Sequence, residues 1–307
     1  MNGLELAERY FTAYGLPLIN DNFPEYKDRI AIGLVGLGSE CLGFDDEFSR
    51  DHDWGPGFCL WLAKADHDRV GSVLLEAYNS LPATFEGFER TTSEWGDGRV
   101  GVFETGAFYR RLLGRADAPE TRPDWLRLQE NNLSVCTSGE VFFDPLGEFS
   151  DVRRKLLAFY PDDVRIVKMA ARCMVIGQSG QYNFLRSLWR HDYFAAQYAE
   201  TKFCADVMSL AYLLNRRYAP YYKWLMRGVR DLPLLGSFIF EKISAMVVSG
   251  NHEHKQTIMD EICAAMIQEL QEEGLSDSTS RFLVDHGPVL HEKIADPALR
   301  NRDVWIG

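Results

Sequence analysis

The chain has 307 residues, 46% of them apolar and 25% charged, the balance of a globular protein with room for two ordinary domains. Its 45 acidic and 33 basic residues leave a formal charge of −12, a field that repels a phosphate backbone and argues against nonspecific DNA binding. The six cysteines are scattered with no C-x-x-C pair, which argues against a zinc site and a disulfide framework.

Residues 5–14 read as a short amphipathic helix with Leu6, Tyr10 and Ala13 on one side. Glu5, Glu8 and Arg9 break the apolar run that a secretory leader needs. The longest apolar stretches, 205–214 and 232–240, fall short of a bilayer span. A cytoplasmic protein with no membrane partner is expected.

Residues 29–37 form a β-like run ending in Gly38-Ser39, followed by a polar loop over 40–50. A second strand is expected over 53–62, then a helix over 65–80. Shorter strands are expected over 83–88, 99–104 and 140–143, the last closed by the turn Asp144-Pro145-Leu146-Gly147. Beyond residue 150 apolar residues recur at spacings of three and four over 162–176, 191–215, 220–230, 234–248 and 253–273, so helices are expected there. Residues 1–150 are therefore read as an α/β domain and 151–307 as a helical one.

The chemistry concentrates in residues 36–61. If Asp51-x-Asp53 opens a strand, its two side chains share a face, with Cα atoms roughly 6.5–7 Å apart. Carboxylates so placed can close on magnesium, which leaves its other positions to water and phosphates. Gly38 admits a close backbone approach, and Ser39 can offer its N–H and hydroxyl to a phosphate. An isolated D-x-D is also what a solvated turn looks like. Asp45, Asp46 and Glu47 read as solvated loop charge, and His52, pointing to the opposite face of the strand, as structural.

The order Gly-Ser, loop, acid-x-acid resembles the signature of polymerase-β-type nucleotidyltransferases. The run Gly-Ser-Glu…Gly-Phe-Asp-Asp-Glu…Ser-Arg-Asp-His-Asp-Trp-Gly-Pro and the segment Arg217-Tyr-Ala-Pro-Tyr-Tyr-Lys-Trp224 resemble an uncharacterised bacterial branch of that superfamily. Among enzymes of known activity, the pattern is similar to aminoglycoside nucleotidyltransferases of the kanamycin and streptomycin type. The resemblance implies a mixed sheet flanked by helices with a C-terminal helical bundle. It also implies transfer of a nucleoside monophosphate, AMP from ATP, to an acceptor hydroxyl, with Mg2+ as the metal. Gly38 and Ser39 match the phosphate-binding turn, and Asp51 and Asp53 the metal-binding acids. Lys223 matches a lysine that reaches the triphosphate in similar enzymes, although its stem can equally pack with the head in water. For the third acid that the superfamily carries on a later strand, Glu104 and Asp144 compete, each also readable as a surface ion pair or turn residue. Residues 178–190 mix aromatic and polar groups that suit either an acceptor pocket or a helix interface.

The acidic charge favours a small-molecule acceptor over RNA or protein. A toxin-like enzyme modifying RNA or protein, and a nucleotide-binding regulatory module without catalysis, are the alternatives. The sequence carries no P-loop, no complete G-x-G-x-x-G and no H-E-x-x-H.

Overall fold

The computed structural model describes residues 1–91, 93, 96 and 98–307. The fold is mixed α/β, with a four-stranded sheet in the N-terminal half and helices beyond it. The chain forms two compact units, one of residues 1–119 and 131–158, the other of 120–130 and 159–307. The expected single boundary at residue 150 is replaced by three crossings.

The first unit opens with α1 (Gly3–Tyr10), capped by the Asn2 side chain on the Glu5 N–H. It continues through a π-helical turn (Phe11–Gly15) into α2 (Leu16–Asn22). The strands are β1 (Ile30–Leu34), β2 (Cys59–Leu62), β5 (Gly101–Glu104) and β6 (Glu140–Phe143), in the order β5-β2-β1-β6. A separate two-stranded ribbon joins β3 (Thr84–Phe85) to β4 (Phe88–Glu89). β1 runs antiparallel to β2 and β6, and β2 parallel to β5. A parallel pair needs a crossover, supplied here by α3 (Lys64–Asn79) and the ribbon.

Side chains alternate across the sheet, so each face gathers its own core. Leu60 and Leu62 join Ile30, Ile32, Tyr10, Phe58 and Leu74 in one buried cluster. Trp61, between them in sequence, points the other way and stacks on Phe149 at 3.9 Å. Phe149 lies in α7 (Glu148–Leu157), and Phe108, from α4 (Thr105–Leu113), meets the same tryptophan edge-on.

The second unit is helical. It takes α5 (Arg122–Arg127) and the first residue of α6 (Glu130–Thr137) from before the return to the sheet. Then come α8 (Asp162–Ile176), a seven-residue π-helix (Gly177–Asn183), α9 (Phe184–Trp189) and α10 (Tyr193–Leu214). α11 (Tyr222–Val229), α12 (Gly236–Val248), α13 (His252–Glu272) and α14 (His286–Glu292) follow. α8 is buried on nearly every side, consistent with its position at the centre of this unit. No helix among the described residues is long and apolar enough to cross a membrane.

Candidate functional site

Register places the site. Gly33 pairs with Cys59, and Cys59 with Gly101. The segment leaving β1 and the segments entering β2 and β5 therefore meet at one end of the sheet. Gly36, Gly38 and Ser39 come from the first of these, residues 53–57 from the second and Arg99 from the third.

Gly36 and Gly38 turn the chain with φ values of +139° and +130°, a region L side chains rarely enter. A Cβ on Gly38 would lie 2.0 Å from the Arg99 guanidinium and 2.5 Å from the Glu40 carboxylate. The Gly36 carbonyl accepts from the Ser138 hydroxyl at 3.1 Å. Ser39 caps a 3₁₀ turn (Glu40–Leu42), and its carbonyl accepts from the Leu42 and Phe44 N–H groups at 3.1 and 2.8 Å.

Arg99 is the centre of the arrangement. It donates to the Leu37 carbonyl through Nε and Nη2 at 3.2 and 3.0 Å, to the Asp53 carbonyl through Nη1, and to Glu40 Oε1 through Nη2. One guanidinium thus joins the glycine turn to the loop before β2. Burial pushes the Glu40 carboxyl above its ordinary value, and the charge of Arg99 offsets only part of that rise.

Asp51 and Asp53 do not open a strand. β2 begins at Cys59, because Gly55-Pro56-Gly57 intervenes. Pro56 has no N–H to give a ladder, and Gly55 sits at φ +127° with a neighbouring carbonyl where a Cβ would be. Asp51 ends a 3₁₀ turn (Glu47–Arg50), its side chain 67% exposed and 2.6 Å from His52 Nδ1. Asp53 has φ +50° and turns its carboxylate onto Ser93, accepting from the N–H and the hydroxyl at 2.7 Å each. Desolvation of Asp53 raises its pKa, but the Ser93 hydrogen bonds, with Arg99 and His52, outweigh that and hold it below the usual carboxylate value. The expected same-face pair is thus corrected to two loop carboxylates, each with its own partner. No three His, Cys, Asp or Glu residues converge on a metal position among the described residues.

The two candidates for a third acid also lie elsewhere. Glu104 pairs with Leu62 at the far end of β2, about 10 Å along a strand of this length. It caps α4 by accepting from the Gly106 N–H at 2.7 Å. Asp144 follows Phe143, which pairs with Ile32 of β1, and it accepts from the Gly147 and Ser150 N–H groups at 2.9 and 2.8 Å. Both are occupied as turn and cap acceptors, away from Gly38. Of the loop acids, Asp45 is half-buried and accepts from Gly3 N–H and Trp54 Nε1, whereas Asp46, which caps the 3₁₀ turn, and Glu47 are exposed. Lys223 belongs to the second unit, exposed at the start of α11 with its ammonium 5.0 Å from the Trp224 ring centre.

A narrow cleft opens between Leu34, Glu40, Asp53, Trp54, Arg90 and Arg99. Its free space, about 30 Å³, is that of a water molecule or two. Arg90 is fixed by the Pro56 carbonyl at 2.7 Å and the Tyr10 hydroxyl at 3.1 Å. The two arginines share this lining with two carboxylates, Glu40 and Asp53.

Comparison with known proteins gives little further constraint. Residues 125–225, about a third of the chain, match a family described as a domain of unknown function, DUF4037. None of the curated proteins matches the chain. A solved structure described as a nucleotidyltransferase-like protein from Exiguobacterium sibiricum 255-15 is similar over 94% of this chain and 80% of that one, at 12% identity and a TM-score of 0.39. A likeness of that size fixes neither fold nor chemistry.

Arg99, Arg90, Glu40 and Ser93 are the site residues that sequence reasoning left without a role. Glu40 directly follows Gly38-Ser39, and that adjacency was the available signal. Arg99 and Ser93 carry none, because only the parallel pairing of β5 with β2 brings them in.

Proposed function

We propose that the chain is a nucleotidyltransferase that moves a nucleoside monophosphate, AMP from ATP, onto a hydroxyl of a small acceptor. The acceptor oxygen bonds to the α-phosphorus, the bond to the leaving pyrophosphate breaks, and the hydroxyl proton passes to solvent or a base. One observation supports the reading: Arg99 and Arg90, with Glu40 and Asp53, line a cleft at the end of the sheet, and Arg99 bonds the Leu37 carbonyl of the glycine turn. In a chain of charge −12, a triphosphate needs such local cations to approach. The nucleotide would arrive as its magnesium salt, so the metal enters with the substrate, beside the loop that carries Asp51 and Asp53. Lys223 is a further candidate for a phosphate contact, on the resemblance alone.

A second reading is a nucleotide-binding module without transfer. It is favoured by the Arg99–Glu40 pair in the lining of the cleft. Labelled ATP, CTP, GTP and UTP, each with magnesium and a cell extract, distinguish the two. Transfer of label into a small molecule, reduced at least about 100-fold by Asp51→Asn with Asp53→Asn and by Arg99→Ala, supports the enzyme. Binding of ATP that depends on Arg99, with no label transferred, supports the module. Undiminished transfer by the double aspartate variant places the chemistry elsewhere.

A further inference from the structure

The helical unit has an opening that the proposed chemistry does not use. The end of α8, the π-helix, α9 and the first half of α10 line an open pocket of about 380 Å³, within the size range of small-molecule sites. On α10, Phe194, Tyr198 and Lys202 recur every four residues and so share one stripe of the helix. All three line the cavity. Phe194 is 80% exposed and Tyr198 63%, although a solvent-facing stripe ordinarily carries small polar or charged groups. Facing them are Gln178 and Asn183 of the π-helix and Ser187 of α9. The side chains of these three make no hydrogen bond among the described residues.

The frame of this cavity is tightly packed. A π-helical run of seven residues is rare, and such turns concentrate where function requires them. Gly180 holds this one in place: a Cβ there would come within 2.3 Å of the Phe203 ring of α10. The lining contains no carboxylate, which is notable in so acidic a chain. Its one charge is the Lys202 ammonium, 3.1 Å from Asp206.

Two aromatic faces, two side-chain amides that both donate and accept, a hydroxyl and one cation match a flat heterocycle with a hydrogen-bonding edge and an anionic tail. We propose that this cavity binds a nucleobase. The rings stack on it, Gln178 and Asn183 bond its edge, and Lys202 lies toward the phosphate of the same nucleotide. A free nucleotide and an unpaired base of a single strand share that chemistry. The proposal does not rest on transfer chemistry at the glycine turn, because it needs neither a triphosphate nor a metal.

The test uses the full chain in EDTA, titrated with adenosine, AMP and a short oligoadenylate by calorimetry. Saturable binding of all three is expected. Phe194→Ala and Tyr198→Ala should each weaken it by roughly 5- to 100-fold, with Tyr198→Phe restoring most of the loss. Asn183→Leu should shift the preference among adenosine, cytidine and uridine. Tighter binding of the oligomer than of AMP, weakening as salt rises, identifies a single strand as the source; equal binding identifies a free nucleotide. Three outcomes overturn the proposal: no saturable binding of any probe, binding indifferent to both ring deletions, or ring deletions that convert an oligomer to monomers without changing nucleoside binding.

Discussion

At Gly38 a single hydrogen atom stands where any other residue would place carbon against a guanidinium and a carboxylate. Gly38→Ala should therefore cost about 1–3 kcal/mol from backbone strain alone and displace Arg99, which urea unfolding and ATP titration would report together. A variant as stable as the parent that binds ATP equally well would show that the turn is not a constraint. Glu40 and Asp53, which face the same arginine, should respond to pH in opposite directions. Burial raises the folded pKa of Glu40, so its contribution to stability is full below the unfolded value and is lost as pH rises through the folded one. The Glu40→Gln variant should thus gain on the wild type between acid and neutral pH, and a difference that shrinks over that range would contradict the assignment. For Asp53 the hydrogen bonds from Ser93 lower the folded pKa, so its contribution is present above the unfolded value and is lost as pH falls through the folded one. Ser93→Ala removes the hydroxyl bond and should raise the Asp53 titration midpoint, followed by carboxyl carbon NMR; an unmoved midpoint would discount that bond.

At the scale of elements, most helices were legible because burial on one side forces a period near 3.6 on the sequence. The helix expected over 162–176 is α8 with the same ends, and the strand over 140–143 is β6. The strand expected over 53–62 was legible only in its second half: its apolar run extends the pattern backward, whereas Gly55-Pro56-Gly57 stops the ladder at Cys59. The candidate site suffered from the same error, since the case for a same-face acid pair depended on those extra strand residues. The π-helix after α8 had no legible signal, because a wider turn follows from tertiary packing at Gly177 and Gly180 rather than from any residue preference. Nor was the polar centre of the helical unit legible. Lys168 on α8 is almost fully buried, its ammonium 5.2 Å from the Tyr160 ring centre, and Glu130 Oε1 and the Tyr160 hydroxyl are sealed from solvent with no hydrogen-bond partner among the described residues. Burial raises the Glu130 carboxyl and lowers the Lys168 ammonium, each opposed by the charge of the other. Lys168→Met removes one of the two cations that face Glu130, Arg172 being the other, and should destabilise the protein by up to about 3 kcal/mol; the double variant with Glu130→Gln should recover much of that. Additive losses in the thermodynamic cycle would show that the two groups do not interact.

For the whole molecule the unexpected feature is the path of the chain, which supplies eleven residues, 120–130, to the helical unit before returning to the sheet. A compositional shift near residue 150 cannot reveal such a segment, since a lone short helix reads the same on either side of a boundary. Within its unit the segment is well anchored. Trp125 is buried and meets Tyr160 edge-on at 5.7 Å between ring centres. Arg122 reaches Asp163 at 3.1 Å and Asp296 at 3.4 Å, and the charges of Lys168 and Arg172 act on the Glu130 carboxylate. A fragment of residues 159–307 therefore lacks one wall of its own core. Loss of the Trp125 packing alone is worth about 3–5 kcal/mol, a large part of the stability of a domain this size. The fragment should melt early and broadly by far-UV circular dichroism. The same fragment with residues 120–130 joined through a flexible linker should melt cooperatively at a higher temperature, because the linker restores the tryptophan and both ion pairs at little entropic cost. Identical melting curves for the two fragments would mean that the segment merely rests on the helical unit, and the boundary would return to residue 158.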